Sequence, residues 1–207
     1  YTFCMKQQII HIHGGRPFDS YEDYLETLRN SKISLSEKDS SKRWSRNYLT
    51  FLDEGMFEVI RPTLPSKSNA KYIEWVIWFE KLIPYLREDV ILVGHSLGGI
   101  FLAQYLSKNK LEVKIKQLHL VAAPYDFEVD NSLVHLSDFT IKEFPLNFFE
   151  NSIKEIYLYA SRNDWEVPDS ELEKYAQHLP DAEGIFLEDR GHFLGETFPE
   201  LFENIQK

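Results

Sequence analysis

The chain has 207 residues, 43% of them apolar and 27% charged, which excludes a disordered polymer and suffices to bury one domain-sized core. A formal charge of −10 and a pI of about 5.2 argue against nucleic acid or an anionic membrane as the main partner. The one cysteine, Cys4, cannot form an internal disulfide, so a reducing, cytoplasmic setting is expected.

The first residues, YTFCMKQQ, carry no long apolar region followed by small residues, so no secretory leader is read there; Met5 is a candidate initiator. Short β-branched runs then recur at 7–12, 57–61, 90–94, 117–122, 155–160 and 184–187. Helical patterns separate most of them. Asp19-Ser20 offers a cap for a helix over 20–30, with Glu22 or Asp23 in its first turn. Residues 31–55 are polar at first. Trp44, Tyr48 and Leu52 then follow at four-residue spacing, which predicts a further helix ending at Gly55. Residues 70–86 place Tyr72, Trp75, Val76, Phe79, Leu82, Ile83 and Leu86 on one wide apolar face, with Pro84 shortening its end. Residues 124–152 form a long connection holding Phe127, Phe139, Phe144, Phe148 and Phe149 without a period, read either as a small cap or as peripheral packing. Ser170-x-x-Glu173 predicts a capping box opening a helix through His178, and 197–206 a last helix. Continuous apolar strands alternating with helices predict a single α/β domain: a three-layer sandwich of about six mostly parallel strands with helices on both faces.

One break in the apolar pattern carries chemistry. Gly94-His95-Ser96-Leu97-Gly98-Gly99 lies between an apolar strand and an amphipathic run. A strand turning at once into a helix strains the serine, lifts its hydroxyl above the strand end and leaves no room for side chains at the flanking glycines. The Leu97 N–H, at the helix start, is then a candidate oxyanion donor. A nucleophilic serine needs a base, and the base an orienting acid, in the chain order Ser, Asp or Glu, His. His192, in Asp189-Arg190-Gly191-His192-Phe193 after the last strand, is preferred over His135 in the irregular segment and His178 at a helix end. Asp164, just past the strand at 155–160, is preferred over Asp169, which helix capping explains, and over Asp189, three residues before His192.

The second oxyanion donor is expected in His11-Ile12-His13-Gly14-Gly15-Arg16, from Gly15 with Arg16 as the alternative, because parallel-sheet sites gather at strand C-termini. A strand order of 2-1-3-4-5-6 would open the crevice between strands 1 and 3, making this loop and the Ser96 turn neighbours. His11 and His13 share a strand face, but no third ligand stands at a suitable spacing, so neither a metal nor another cofactor is expected.

With these residues in place, the chain resembles the α/β-hydrolases, and most the small, nearly lidless serine hydrolases of the retinoblastoma-binding-protein-nine and YdeN type. The resemblance spans residues 56–207 and is carried by the Gly-His-Ser-Leu-Gly-Gly unit, by Ser161-Arg162-Asn163-Asp164 with Val167-Pro168, and by Gly191-His192-Phe193. It implies a Ser96–Asp164–His192 triad and carboxylesterase-like cleavage of small acyl substrates through an acyl-enzyme. Phe139, Phe144, Phe148 and Trp165 are expected to form an apolar acyl wall. Residues 16–55 depart from the family's compact first connection, and the pocket-protein-binding L-x-C-x-E is absent, so that partner is not carried over. A small-molecule acyl substrate and a monomer or weak homodimer are expected. The rival readings are an amidase, peptidase or thioesterase using the same triad, and a non-catalytic binding module that retains it.

Overall fold

A computed structural model describes residues 5–33, 40–126, 136–141, 148 and 151–207. Its strands are β1 (Gln7–Ile12), β2 (Phe57–Ile60), β3 (Val90–His95), β4 (Ile115–Val121), β5 (Ile153–Ser161) and β6 (Glu183–Leu187). All pair in parallel, in one sheet of order β2-β1-β3-β4-β5-β6. The expected order and layering are those observed.

Alternation along the strands builds two cores, because successive side chains point to opposite faces. Ile10, Leu92 and Leu158 join one cluster; their neighbours Ile9, Ile91 and Tyr157 join the other. The first is covered by α3 (Tyr72–Glu80) through Trp75 and Phe79, by α4 (Leu97–Lys108), and by α5 (Ser170–His178) through Leu172 and Tyr175. The second is covered by α2 (Tyr48–Phe51), with Trp44 just before it, and by α6 (Pro199–Ile205). Fully burying each such aliphatic or aromatic side chain contributes roughly 2 kcal/mol. The helix α1 (Tyr21–Asn30) buries no residue completely and is stabilised locally. Ser20 is its N-cap, in a reciprocal capping box with Asp23, as the sequence predicts.

Three local expectations change. The helix predicted through 44–55 is a 3-10 turn at Trp44–Arg46 followed by the single turn of α2. Trp44, Tyr48 and Leu52 are nonetheless all buried on one side. The break falls at Asn47, whose φ of −121° and ψ of 35° lie outside the helical range; the Trp44 N–H, at the start of the turn, donates to the Gly195 carbonyl. The capping box at Ser170 is not formed: Asp169 is the N-cap residue, makes no side-chain cap, and gives its carboxylate to Arg162. Phe139 and Phe148 are not a substrate wall. Phe139 is fully buried edge-on against Tyr72 and Trp75, and Phe148 belongs to the same core. Phe127, His135, Phe144 and Phe149 lie outside the described residues. No helix among the described residues is long and apolar enough to cross a membrane.

Candidate active site

The site forms where β1, β3, β5 and β6 end. Ser96 sits between β3 and α4 with φ 55° and ψ −125°, a left-handed conformation costly for a residue with a Cβ. Packing holds it there. A Cβ on Gly98 would lie 2.3 Å from the Ile12 carbonyl oxygen, and one on Gly94 would lie 2.5 Å from the Gly98 oxygen. The backbones of β1, β3 and α4 interleave at the turn, which is the physical reason for the glycines around the serine.

The strained turn presents the hydroxyl to a histidine. Ser96 Oγ is 3.0 Å from His192 Nε2, and His192 Nδ1 is 2.9 Å from Asp164 Oδ2 and 3.1 Å from Oδ1. With Nδ1–H donating to the carboxylate, Nε2 is left as the acceptor for the serine hydroxyl. Asp164 Oδ1 also accepts the backbone N–H groups of Glu166 and Val167, at 2.8 and 3.1 Å. The side chains of His192 and Asp164 are 4% and 1% exposed, so water competes little for these bonds. Asp189 is exposed and Asp169 is paired with Arg162, so Asp164 is the candidate acid that meets the ring.

Several residues outside the triad hold this histidine. His95, the variable residue before the serine, donates from Nε2 to the His192 carbonyl at 2.9 Å. Burial, then the charge of a protonated His192, pushes the His95 ring well below the usual imidazole range, so it stays a neutral donor. Trp44 Nε1–H donates to the Phe193 carbonyl at 2.7 Å. Asn163 Oδ1 accepts the Gly191 N–H at 2.7 Å and the Ser161 hydroxyl at 2.9 Å. Gly191 has φ +52°, and Phe193, at φ 53°, shares that region despite its side chain. Glu166 Oε2 stands 3.4 Å from His192 Nε2, exposed and on the opposite side from Asp164. Three of these bonds, from His95, Trp44 and Asn163, join a side chain to a distant backbone group, which no spacing along the chain announces.

The loop after β1 lies against the serine. Gly14 is placed so that a Cβ on it would be 3.1 Å from Ser96 Cβ, and one on Gly15 would be 3.2 Å from a Leu97 methyl. The Arg16 N–H donates to the Lys67 carbonyl at 2.8 Å, which removes Arg16 as an oxyanion donor. The N–H groups of Gly15 and Leu97 have no hydrogen-bond partner among the described residues. His13 braces this loop. Its Nε2 accepts the Leu64 N–H at 2.9 Å, which leaves Nδ1–H to donate to the Gly14 carbonyl at 2.7 Å. His11 bonds through Nδ1 to the Tyr48 hydroxyl at 2.8 Å, and burial lowers its pKa to about 3.

Above these groups opens a cleft of about 520 Å³, lined by Gly14, Gly15, Ser96, His192, Leu194 and Glu166 among others. Trp165, expected in the acyl wall, is exposed, its ring 6.4 Å from that of His192 and packed over Gly191, and it is not among the residues that line the cleft.

The fold is shared with solved hydrolases. The ydeN gene product of B. subtilis is 20% identical, with a TM-score of 0.70 and 97% of each chain covered. A putative YdeN-like hydrolase of Pectobacterium atrosepticum is 18% identical, with a TM-score of 0.61, 97% of this chain and 89% of the other covered. A structure from Nitrososphaera gargenis, described among carboxylesterases, is 11% identical, with a TM-score of 0.60, covering 97% and 89%. No curated protein matches the sequence. The model of the serine hydrolase family matches residues 48–205, which include Ser96, Asp164 and His192. This chain belongs to the serine hydrolase family.

Proposed function

We propose that the protein hydrolyses small acyl esters through a Ser96–His192–Asp164 triad and an acyl-enzyme. The observation that carries this reading is the unbroken hydrogen-bonded line from the Ser96 hydroxyl through the imidazole to a buried carboxylate, with the serine in a strained turn. His192 Nε2 takes the hydroxyl proton as Oγ bonds to the acyl carbonyl carbon. The carbonyl oxygen becomes an oxyanion facing the Leu97 and Gly15 N–H groups, each such donor worth about 3 kcal/mol of barrier. The ester C–O bond then breaks, and the leaving oxygen receives the proton from His192. Water then gives a proton to the same ring as it attacks the acyl carbon; the bond from that carbon to Ser96 Oγ breaks, the ring returns the proton to Oγ, and the carboxylic acid leaves. Asp164 fixes the ring's tautomer and stabilises the imidazolium, to which Glu166 adds a weaker, solvent-screened attraction.

A fluorophosphonate probe tests the reading. The native protein is expected to label at Ser96, and Ser96→Ala to abolish both labelling and ester turnover. A folded native protein that neither labels nor hydrolyses any ester would overturn it in favour of a binding module.

A further inference from the structure

The chain is acidic as a whole, yet one wall of the Ser96 cleft is basic. Arg43 and Arg46 come from the turn before α2, and Arg61 and Lys67 from the stretch after β2; all four line the cleft. None has a carboxylate partner among the described residues. Arg61 Nη1 gives one hydrogen bond to the Ser45 carbonyl at 2.9 Å, and its other donors are open to a ligand. Un-neutralised cations along a concave wall focus positive potential into it. Apolar lining is sparse, with Pro62 and Leu194, and Phe139 and Phe148 are spent in the core. A long hydrocarbon laid along this wall would strip water from the cations and return nothing.

Topology says which part of a substrate meets the wall. β2 lies two strands from β3, about 10 Å away, while Glu166 follows β5, two strands the other way. The leaving oxygen must sit beside His192 Nε2 to receive its proton, on the side of the loops after β5 and β6. The acyl portion therefore runs toward β1 and β2. Resting on the serine-hydrolase reading above, we infer that the substrate is an ester whose acyl chain ends in an anionic group, a carboxylate or a phosphate, held by Arg61, Lys67, Arg43 and Arg46.

Three 4-nitrophenyl esters of one chain length test this: the hexanoate, the adipate monoester and the 5-phosphonopentanoate. At least one anionic ester is expected to exceed the hexanoate about tenfold in kcat/KM, and the preferred one assigns the anion. That ratio should fall toward one in the double variant Arg61→Gln/Lys67→Gln and at high salt, because both remove or screen the field. It should stay as it is in Arg29→Gln, on the exposed α1. A hexanoate turned over as well as both anionic esters, or a preference untouched by Arg61→Gln/Lys67→Gln, overturns the inference while leaving the hydrolase intact. Hydrolysis of none of the three, with no labelling of Ser96, sinks the parent reading instead.

Discussion

The two flanks of the cleft are built on opposite terms. On the flank after β5 and β6, Asp164 and His192 are buried, and their loops are tied down by Asn163, His95 and Trp44. On the flank after β2, Arg61 and Lys67 stand exposed on long side chains without carboxylate partners among the described residues. Proton transfer fails when its atoms shift by a fraction of an ångström, so that flank is fixed in dry protein. Charge recognition falls off gently with distance, so the other flank can be held by solvated, mobile groups. On the proposed reading, chemistry sits where the side chains are buried and selectivity where they are solvated.

The largest expected effect falls on the stiff flank. Asp164→Asn should lower kcat about 10⁴-fold by stabilising the wrong histidine tautomer, with the fold retained. A loss below tenfold, measured on a protein with native circular dichroism, would show that the buried carboxylate does not orient the ring.

Acid should come next, acting through the buried histidines at and below the cleft floor. Burial keeps His11 and His119 neutral, with pKa lowered to about 3, and it pushes His95 down as well. In the unfolded chain the same rings titrate near their ordinary value of about 6.5. Between these limits the unfolded state binds protons that the native state refuses. Stability therefore rises with pH across that window and is lost on acidification below about 6.5. The expected loss is on the order of 1 kcal/mol per pH unit for each ring, read as a falling urea midpoint from pH 7 to pH 5. An unchanged midpoint would mean that these rings take up protons without unfolding.

The smallest effects come as a pair, one from each flank. Asn163→Ala leaves the Gly191 N–H without its acceptor and should cost about 1–3 kcal/mol in urea denaturation, with kcat falling as the histidine loop loosens. Arg46→Gln, on the solvated flank, should change stability by less than about 0.5 kcal/mol. Equal losses in the two variants would erase the contrast between the flanks.

The strands and the Ser96–His192–Asp164 alignment are legible in the sequence because apolar runs and the order of the motifs mark them, and the sheet order follows from the parallel fold they imply. Apolar runs mark the strands, and the turn at Gly94–Gly99 needs glycines wherever backbones cross. What fails to show is held by single long-range bonds. Nothing near Trp44 announces that its indole N–H reaches the Phe193 carbonyl, 149 positions away. The aromatics at 139 and 148 have no period, so their composition is compatible with a substrate wall or with core; packing against Trp75 decides for Phe139. The basic wall is hidden for a similar reason. Arg43, Arg46, Arg61 and Lys67 are scattered along a net-acidic chain and meet through folding alone.

The turn at Trp44–Arg46 serves both flanks at once. Its arginines face the cleft, while the tryptophan between them clasps the strand-end segment that carries His192, through the Phe193 and Gly195 carbonyls. Swapping residues 40–51 for a relative's sequence to alter the cleft wall would thus also loosen the segment that holds His192. On the proposed reading, substrate choice and turnover are coupled through Trp44, and a redesign of this stretch must also keep Tyr48, which is buried and bonded to His11.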